Sequence, residues 1–492
     1  MIKVYLDWNI MSSMKQEKFI ELKMILDNQE KFLLVYSTSH IGDILTSHSE
    51  EEHQKKIIQE DLEYITSITN NQCFFNDGKN IQLGFMDPIE MYDDRLESQN
   101  LFNNFSIDSL FSSFEDDEIL APLVGVIKNL IKSTPLDSEF KKAFDDPKSA
   151  GEMEKMFPGL KDDLSFEGWF KYFGEFYTRL NETEDYKRLR ETVQRIGVNS
   201  GHFNQDKNPF DVINTSYKKL GVENSDTNHT SNSNENAPIW FNEISNEYIM
   251  LDMHGYRQDK IKVNAKEKNT FRNTTDDAFH SAFASRCDFY ITNDKKNIDK
   301  TKAVYSKYEI ETSVFTPEEF TQYYKDYLNF NSFSEHMSNF IDVLKTGKNY
   351  YDNGNETDEN GKPLCFVGFS NHYFFNFFNK VRICESSKKD LPYYLISRNY
   401  LSRIHYISLQ EIEKIVYQLT NSLGIDNDEK GYYISGEIQG EYWEGRNWTL
   451  ENWDISLKRL NGWFQLYFYP KKQKKKFMKV ISSWLSKLRL KK

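Results

Sequence analysis

Val4-Tyr5-Leu6 runs straight into Asp7, and much later in the chain Phe289-Tyr290-Ile291-Thr292-Asn293 runs into Asp294. Both runs read as strands buried in a parallel sheet, and each ends on or just before a carboxylate. Open α/β sheets build their sites beyond the carboxyl ends of their strands, so these two ends constrain the fold more than any other feature. Between them Asp276-Asp277-Ala278-Phe279-His280-Ser281-Ala282-Phe283-Ala284 reads as a small-residue helix that leads into the second strand. The two stretches are expected to be halves of one acidic site. Clustered carboxylates repel one another unless a cation joins them, and hard oxygen ligands suit Mg²⁺ or Mn²⁺. The competing reading makes the strand-end aspartates ordinary helix caps.

In order and spacing these residues resemble the PIN-domain nucleases over about residues 1–45 and 240–320. Asp7 and Asn9 match the end of the family's first strand, and Asp277, Ala278, Ala282, Ala284, Thr292 and Asp294 match its late helix and strand. The resemblance implies a further acidic residue on the helix after the second strand. With Phe32–Ser37 as that strand, Asp43 is the candidate, at a looser spacing than the others. It implies that Asp7, Asp277 and Asp294 ligate Mg²⁺ or Mn²⁺ and that Asp43 completes the set. Asn9 and Thr292 would position these ligands or donate to a phosphate oxygen. His280 lies one helical turn after Asp277, where it helps at the site or packs behind it. Asp299 is an outlying candidate for the metal shell, and Asp276 and Asp288 read as solvated or capping residues.

Composition narrows the class. At 492 residues the chain is too long for one ordinary core, and two or three domains are expected. No apolar run approaches the length of a membrane span, and the start reads directly into a strand, so a cytoplasmic protein without a signal peptide is expected. The four cysteines (Cys73, Cys287, Cys365, Cys384) lack metal-type spacing. Net charge is −13, yet residues 471–492 hold ten Lys or Arg and no acid, leaving 52 basic against 75 acidic groups before them. Phe477, Val480, Ile481, Trp484, Leu485 and Leu488 recur at helical spacing, so that tail reads as an amphipathic helix with a basic face. Such a helix either docks on the acidic body or holds nucleic-acid phosphate.

The expected architecture is α/β. A PIN-like parallel sheet carries helices on both faces, is interrupted by a large, mostly helical insertion, and is followed by a separate C-terminal α+β domain. The boundaries read as 1–69 and 239–344 for the sheet domain, 70–238 for the insertion, 345–362 for a linker and 363–492 for the accessory domain. The insertion would end in the polar stretch from Gly221 to Ala237. Arg188, Arg190 and Arg195 read as a solvated helix face or as phosphate contacts. Trp443, Trp448, Trp453 and Trp463 read as an aromatic core rather than base-stacking groups.

The function implied by the resemblance is metal-dependent cleavage of phosphodiester bonds, of RNA in preference, with DNA left open. Abundant Asn, Lys, Ile, Phe and Tyr associate the chain with an AT-rich bacterial coding sequence. By analogy the expectation is a regulated effector in a toxin–antitoxin or phage-defence setting, with a regulatory protein partner. Two rivals stand beside it. Arg398 and His405 resemble the Arg-x(4–6)-His motif of the metal-independent HEPN ribonucleases, and the chain could instead be a non-catalytic binding or regulatory protein.

Overall fold

The computed structural model describes residues 1–49, 51–76, 80–102, 144–147, 150–156, 185–196, 198–203, 207–219, 237–257, 271–330, 332–346, 350–352, 365–384, 393–398, 409–438, 443–460 and 463–471. Nearly all of 221–237, His405 and the tail from 472 onward lie outside them. The chain divides into two compact units: Lys3–Lys23 with Leu34–Pro317, and Met1–Ile2 and Met24–Leu33 with Glu318–Lys492.

A six-stranded sheet is built from β1 (Ile2–Leu6), β2 (Phe32–Ser37), β3 (Gln72–Asn76), β4 (Ile81–Phe85), β5 (Phe289–Ile291) and β6 (Ser313–Phe315), in the order β4-β3-β2-β1-β5-β6. β1–β5, β5–β6 and β2–β3 are parallel, and β4 is an antiparallel edge. β1 and β2 are buried along their whole length, as strands covered on both faces should be. The helices in chain order are α1 (Trp8–Lys15), α2 (Ile20–Leu26), α3 (Thr38–Leu45), α4 (Glu52–Thr69), α5 (Pro88–Phe102), α6 (Ala150–Met156), α7 (Asp185–Ile196), α8 (Pro209–Lys219), α9 (Ile239–Met253), α10 (Phe271–Ala284) and α11 (Lys295–Lys307). α4 buries Ile58, Leu62 and Ile65 at helical spacing. The sheet therefore runs on through Phe85, past the expected boundary at residue 69, because β3 pairs with β2 through Tyr36↔Cys73.

A buried charge cluster ties three helices. Asp252 on α9 pairs with Lys300 of α11, and its Oδ2 lies 3.5 Å from Arg190 Nε of α7 and 2.9 Å from the Tyr186 hydroxyl. Arg190 is thus neither a solvated face nor a phosphate contact.

In the other unit α12 (Pro317–Tyr323), α13 (Phe333–Thr346) and α14 (Leu409–Leu423) accompany β7 (Tyr350–Asp352), β8 (Cys365–Phe374), β9 (Phe378–Cys384), β10 (Tyr393–Ser397), β11 (Trp443–Thr449), β12 (Trp453–Leu460) and β13 (Trp463–Pro470). These strands form an antiparallel sheet ordered β11-β12-β13-β10-β9-β8-β7. Its core takes Met337 and Phe340 from α13 and Ile412, Ile415 and Leu419 from α14. Phe340 stacks on Phe468 at 5.5 Å and meets Tyr394 edge-on at 5.7 Å. That packing draws α13 into the C-terminal unit, so the division falls at Pro317 and not at residue 344. Trp443 and Trp448 are buried in this core and Trp453 packs against it, as the aromatic-core reading expects. Gly445 holds φ at +87° in the β11 bulge, where a Cβ would stand 1.6 Å from the Leu457 carbonyl oxygen, so no larger residue fits.

The Asp252 cluster carries a pH signature. Burial raises its carboxyl, but Lys300 and Arg190 overcome that and hold it at about 2. A carboxyl held below its unfolded value of about 3.9 adds stability above that pH and loses it as pH falls toward 2. Asp252→Ala, which strands two buried cations, should cost about 3–5 kcal/mol in urea unfolding at neutral pH. The gap from wild type should narrow below about pH 4; a gap that is constant with pH would contradict this linkage.

Candidate metal centre

Asp7 follows β1 directly, and its backbone N–H donates to the Ile291 carbonyl of β5 at 2.9 Å. This pairing brings residues 7 and 292 together at the carboxyl ends of two parallel strands. The Thr292 hydroxyl donates to Asp7 Oδ2 at 2.7 Å, the Tyr290 hydroxyl reaches the same oxygen at 3.3 Å, and Asn297 Nδ2 at 3.4 Å. Oδ1 accepts the Asn9 N–H at 3.3 Å and caps α1. Asn9 is exposed, and its amide lies 3.4 Å from Thr292 Oγ1.

α3 starts from a capping box in which Ser37 and His40 serve each other's backbone. The Ser37 N–H donates to His40 Nδ1 at 3.0 Å, which leaves Nε2–H to donate to the Leu6 carbonyl at 2.8 Å. His40 is therefore neutral, and burial with the nearby His280 charge holds it well below the usual histidine range. One turn further on, Asp43 Oδ2 lies 2.8 Å from His280 Nε2 of α10. His280 Nδ1 lies 2.7 Å from the Tyr5 hydroxyl, which bonds on to Ser37 Oγ at 2.6 Å. Burial alone would lower His280, but the charge and hydrogen bond of Asp43, with Asp7 and Asp276, lift it to about 9. It is a buried imidazolium that donates from both ring nitrogens.

Among the described residues, the one group of three ligand atoms mutually within 4.8 Å is Asp7, Asp43 and His280. This differs from the expected trio of Asp7, Asp277 and Asp294. Asp43, expected at the loosest spacing of the four acids, and His280, expected to help at the site or pack behind it, join Asp7 in this group. Asp277 lies outside the tight group but in its field: burial and then Asp7 push its carboxyl well up, Asp294 and Asp43 add to this, and Lys300 opposes. Asp294 is exposed and caps α11, accepting from Lys296 and Asn297 backbone N–H groups at 2.7 and 3.2 Å. Asp7 and Asp294 are thus both helix caps, and of the two Asp7 belongs to the tight group. Asp299 pairs with Arg257 at 3.4 Å and Asp288 accepts the Lys3 N–H at 2.7 Å.

Tyr5, Tyr290 and Asn297 were not singled out as site residues from sequence, and Asp276 was read as solvated or capping. Burial and Asp43 instead push Asp276 up to about 7 against Arg272. Its carboxylate also packs at Gly42, where an added Cβ would lie 3.3 Å from Oδ1. Tyr5 and Tyr290 are register partners on β1 and β5. Strand alternation puts each on the face of Asp7 or Thr292 two residues later, a signal available in the sequence. Asn297 shows no such signal beyond its helical spacing from Asp294.

The group could hold a divalent cation through two carboxylates from distant segments, Asp7 and Asp43, with His280 beside them as a donor rather than a ligand. Burial pushes Asp7 up against the pull of His280 and Thr292. Asp276 Oδ2 and the fully buried Tyr248 hydroxyl, in the field of Asp277, Asp252 and Asp294, have no hydrogen-bond partner. Comparison with known proteins finds no match: no family model, no curated protein and no solved structure matches the chain.

A carboxyl raised above its unfolded value costs stability as pH rises through that interval. Asp277→Asn should therefore raise the melting temperature at neutral pH in chelator. Mn²⁺ at about 100 times its Kd should add about 3 kcal/mol to the wild type and much less to Asp7→Asn. A wild-type melting temperature that Mn²⁺ does not move would contradict the metal fit.

Proposed function

We infer that the protein is a metal-dependent nuclease of PIN-like chemistry, acting on phosphodiester bonds and preferring RNA. The observation that carries this reading is the meeting of Asp7, Asp43 and His280 within 4.8 Å, from three distant segments, in the field of Asp277. Asp7 and Asp43, with Asp277 and Asp294 in reach, would hold Mg²⁺ or Mn²⁺, which when bound lowers the pKa of water and neutralises charge developing on phosphoryl oxygens. The chain's own residues set the stage. Thr292, Tyr290 and Asn297 lock the Asp7 rotamer through Oδ2. His280 orients Asp43 and holds a proton between it and Tyr5. Asn9 is exposed beside Thr292 and would donate to a phosphate oxygen. Arg272, one-third exposed and 3.9 Å from Asp276, would meet substrate charge at the rim.

The HEPN-like alternative loses support at Arg398. That side chain is buried, donates to the Met1 carbonyl at 2.8 Å and lies over the Phe377 ring at 4.8 Å, which is a packing role. Membrane chemistry has no support either: no described helix is long and apolar enough to cross a membrane. A regulated effector role, with a regulatory partner, stays part of the proposal by analogy alone.

Side-by-side incubation of labelled RNA and DNA with Mn²⁺ or with EDTA tests the reading. Cleavage should require the metal, favour RNA, and fall on the order of a hundredfold or more in Asp7→Asn and Asp43→Asn. His405→Ala should cut as the wild type does. Cutting that survives EDTA and vanishes in His405→Ala would transfer the activity to the HEPN-like alternative.

A further inference from the structure

The C-terminal sheet has two faces, and its core occupies one. Along β10 and β13, Tyr394, Ile396, Leu466 and Phe468 turn into the core beneath α13 and α14. Alternation sends Tyr393, Tyr467 and Tyr469 to the opposite face. Their rings form one array: Tyr393 stands 6.1 Å from Tyr467 and 5.6 Å from Tyr469, and Tyr467 and Tyr469 lie 6.0 Å apart with planes only 4° from parallel. Tyr469 is 38% exposed, and the other two are half-buried.

Cross-strand register puts cations beside this array. Arg382 of β9 pairs with Leu395, which pairs in turn with Tyr467. Lys380 pairs with Ser397, Ser397 with Gln465, and Gln465 with Lys458 of β12. Lys458 Nζ lies 5.6 Å from the Tyr467 ring centre. Asp454, opposite Tyr469 on these rows, has Lys471 at 3.4 Å.

Three tyrosine rings, one exposed and two half-buried, with Arg382 and Lys458 beside them match the two things a single strand offers, unpaired base faces and a run of phosphates. A duplex hides its base faces, and an acidic protein surface would use the cations but not the rings. We propose that this sheet face binds single-stranded nucleic acid, with bases stacking on the Tyr393, Tyr467 and Tyr469 array and phosphates meeting Arg382 and Lys458. It rests on the nuclease reading only for the choice of nucleic acid as the ligand class.

The test is fluorescence anisotropy of a short labelled oligouridylate, or oligodeoxythymidylate, with the full chain in EDTA. Tyr469→Ala should weaken binding about tenfold, while Tyr469→Phe, which keeps the ring, should bind as the wild type does. Lys458→Glu and Arg382→Glu should each flatten the dependence of log affinity on log salt by about 0.7 for each phosphate no longer neutralised. Three results would overturn the proposal: affinity unchanged by Tyr469→Ala and both charge reversals, a duplex competing as well as the single strand, or polyglutamate competing equally. Because the chelator removes metal-dependent cutting, failure of the nuclease reading would appear separately, as binding intact with no cleavage in Mn²⁺.

Discussion

The imidazolium of His280 is the charge on which the candidate centre depends. Around it α10, α3 and β1 each contribute an acid, and carboxylates brought so close repel unless something positive stands between them. His280 donates to Asp43 at 2.8 Å and to Tyr5 at 2.7 Å, and Tyr5 passes the chain on to Ser37, the first cap of α3. One ring therefore joins the helix that carries Asp276 and Asp277 to the strand that ends at Asp7. His40 lies 4.8 Å away, ring edge to ring face, and is kept neutral by the Ser37 N–H it accepts. Two neighbouring histidines thus divide their work, one charged and one not, through the hydrogen bonds available to each.

A second positive group stands behind the site. Lys300 and Arg190 both meet Asp252, and Lys300 also draws on Asp277. Buried ion clusters add little net stability compared with apolar packing, but they are strongly destabilised when one member is removed. This one spans α7, α9 and α11, so the helices that frame the acidic residues are held by charges that also temper the acids. Fold stability and site electrostatics share the same side chains.

Part of this was legible in the sequence, and the limit is physical. Buried runs ending at Asp7 and Asp294 announced strand ends. Spacing along one segment could not say which acids from different segments would touch. It favoured Asp277 and Asp294, whereas the fold sets Asp43 and His280 beside Asp7, a choice made by the angle at which α3 and α10 meet the strands. The division at Pro317 was hidden for a similar reason. α13 shows an apolar stripe but not which core receives it, and Phe340 settles that only by meeting Phe374, Tyr394 and Phe468. The same held for the tyrosines of β13. Their alternation with Leu466 and Phe468 was visible, while their gathering with Tyr393 and Arg382 depended on strand order.

The central claim is that the acids around His280 form a divalent-cation site rather than a set of helix caps balanced by a histidine. Crystals of the protein soaked in Mn²⁺, with an anomalous difference map, test this most directly. The predicted result is one strong peak bonded to Asp7 and Asp43, with the His280–Asp43 hydrogen bond altered from its metal-free form. A map with no peak there, and His280 still seated on Asp43, would contradict it.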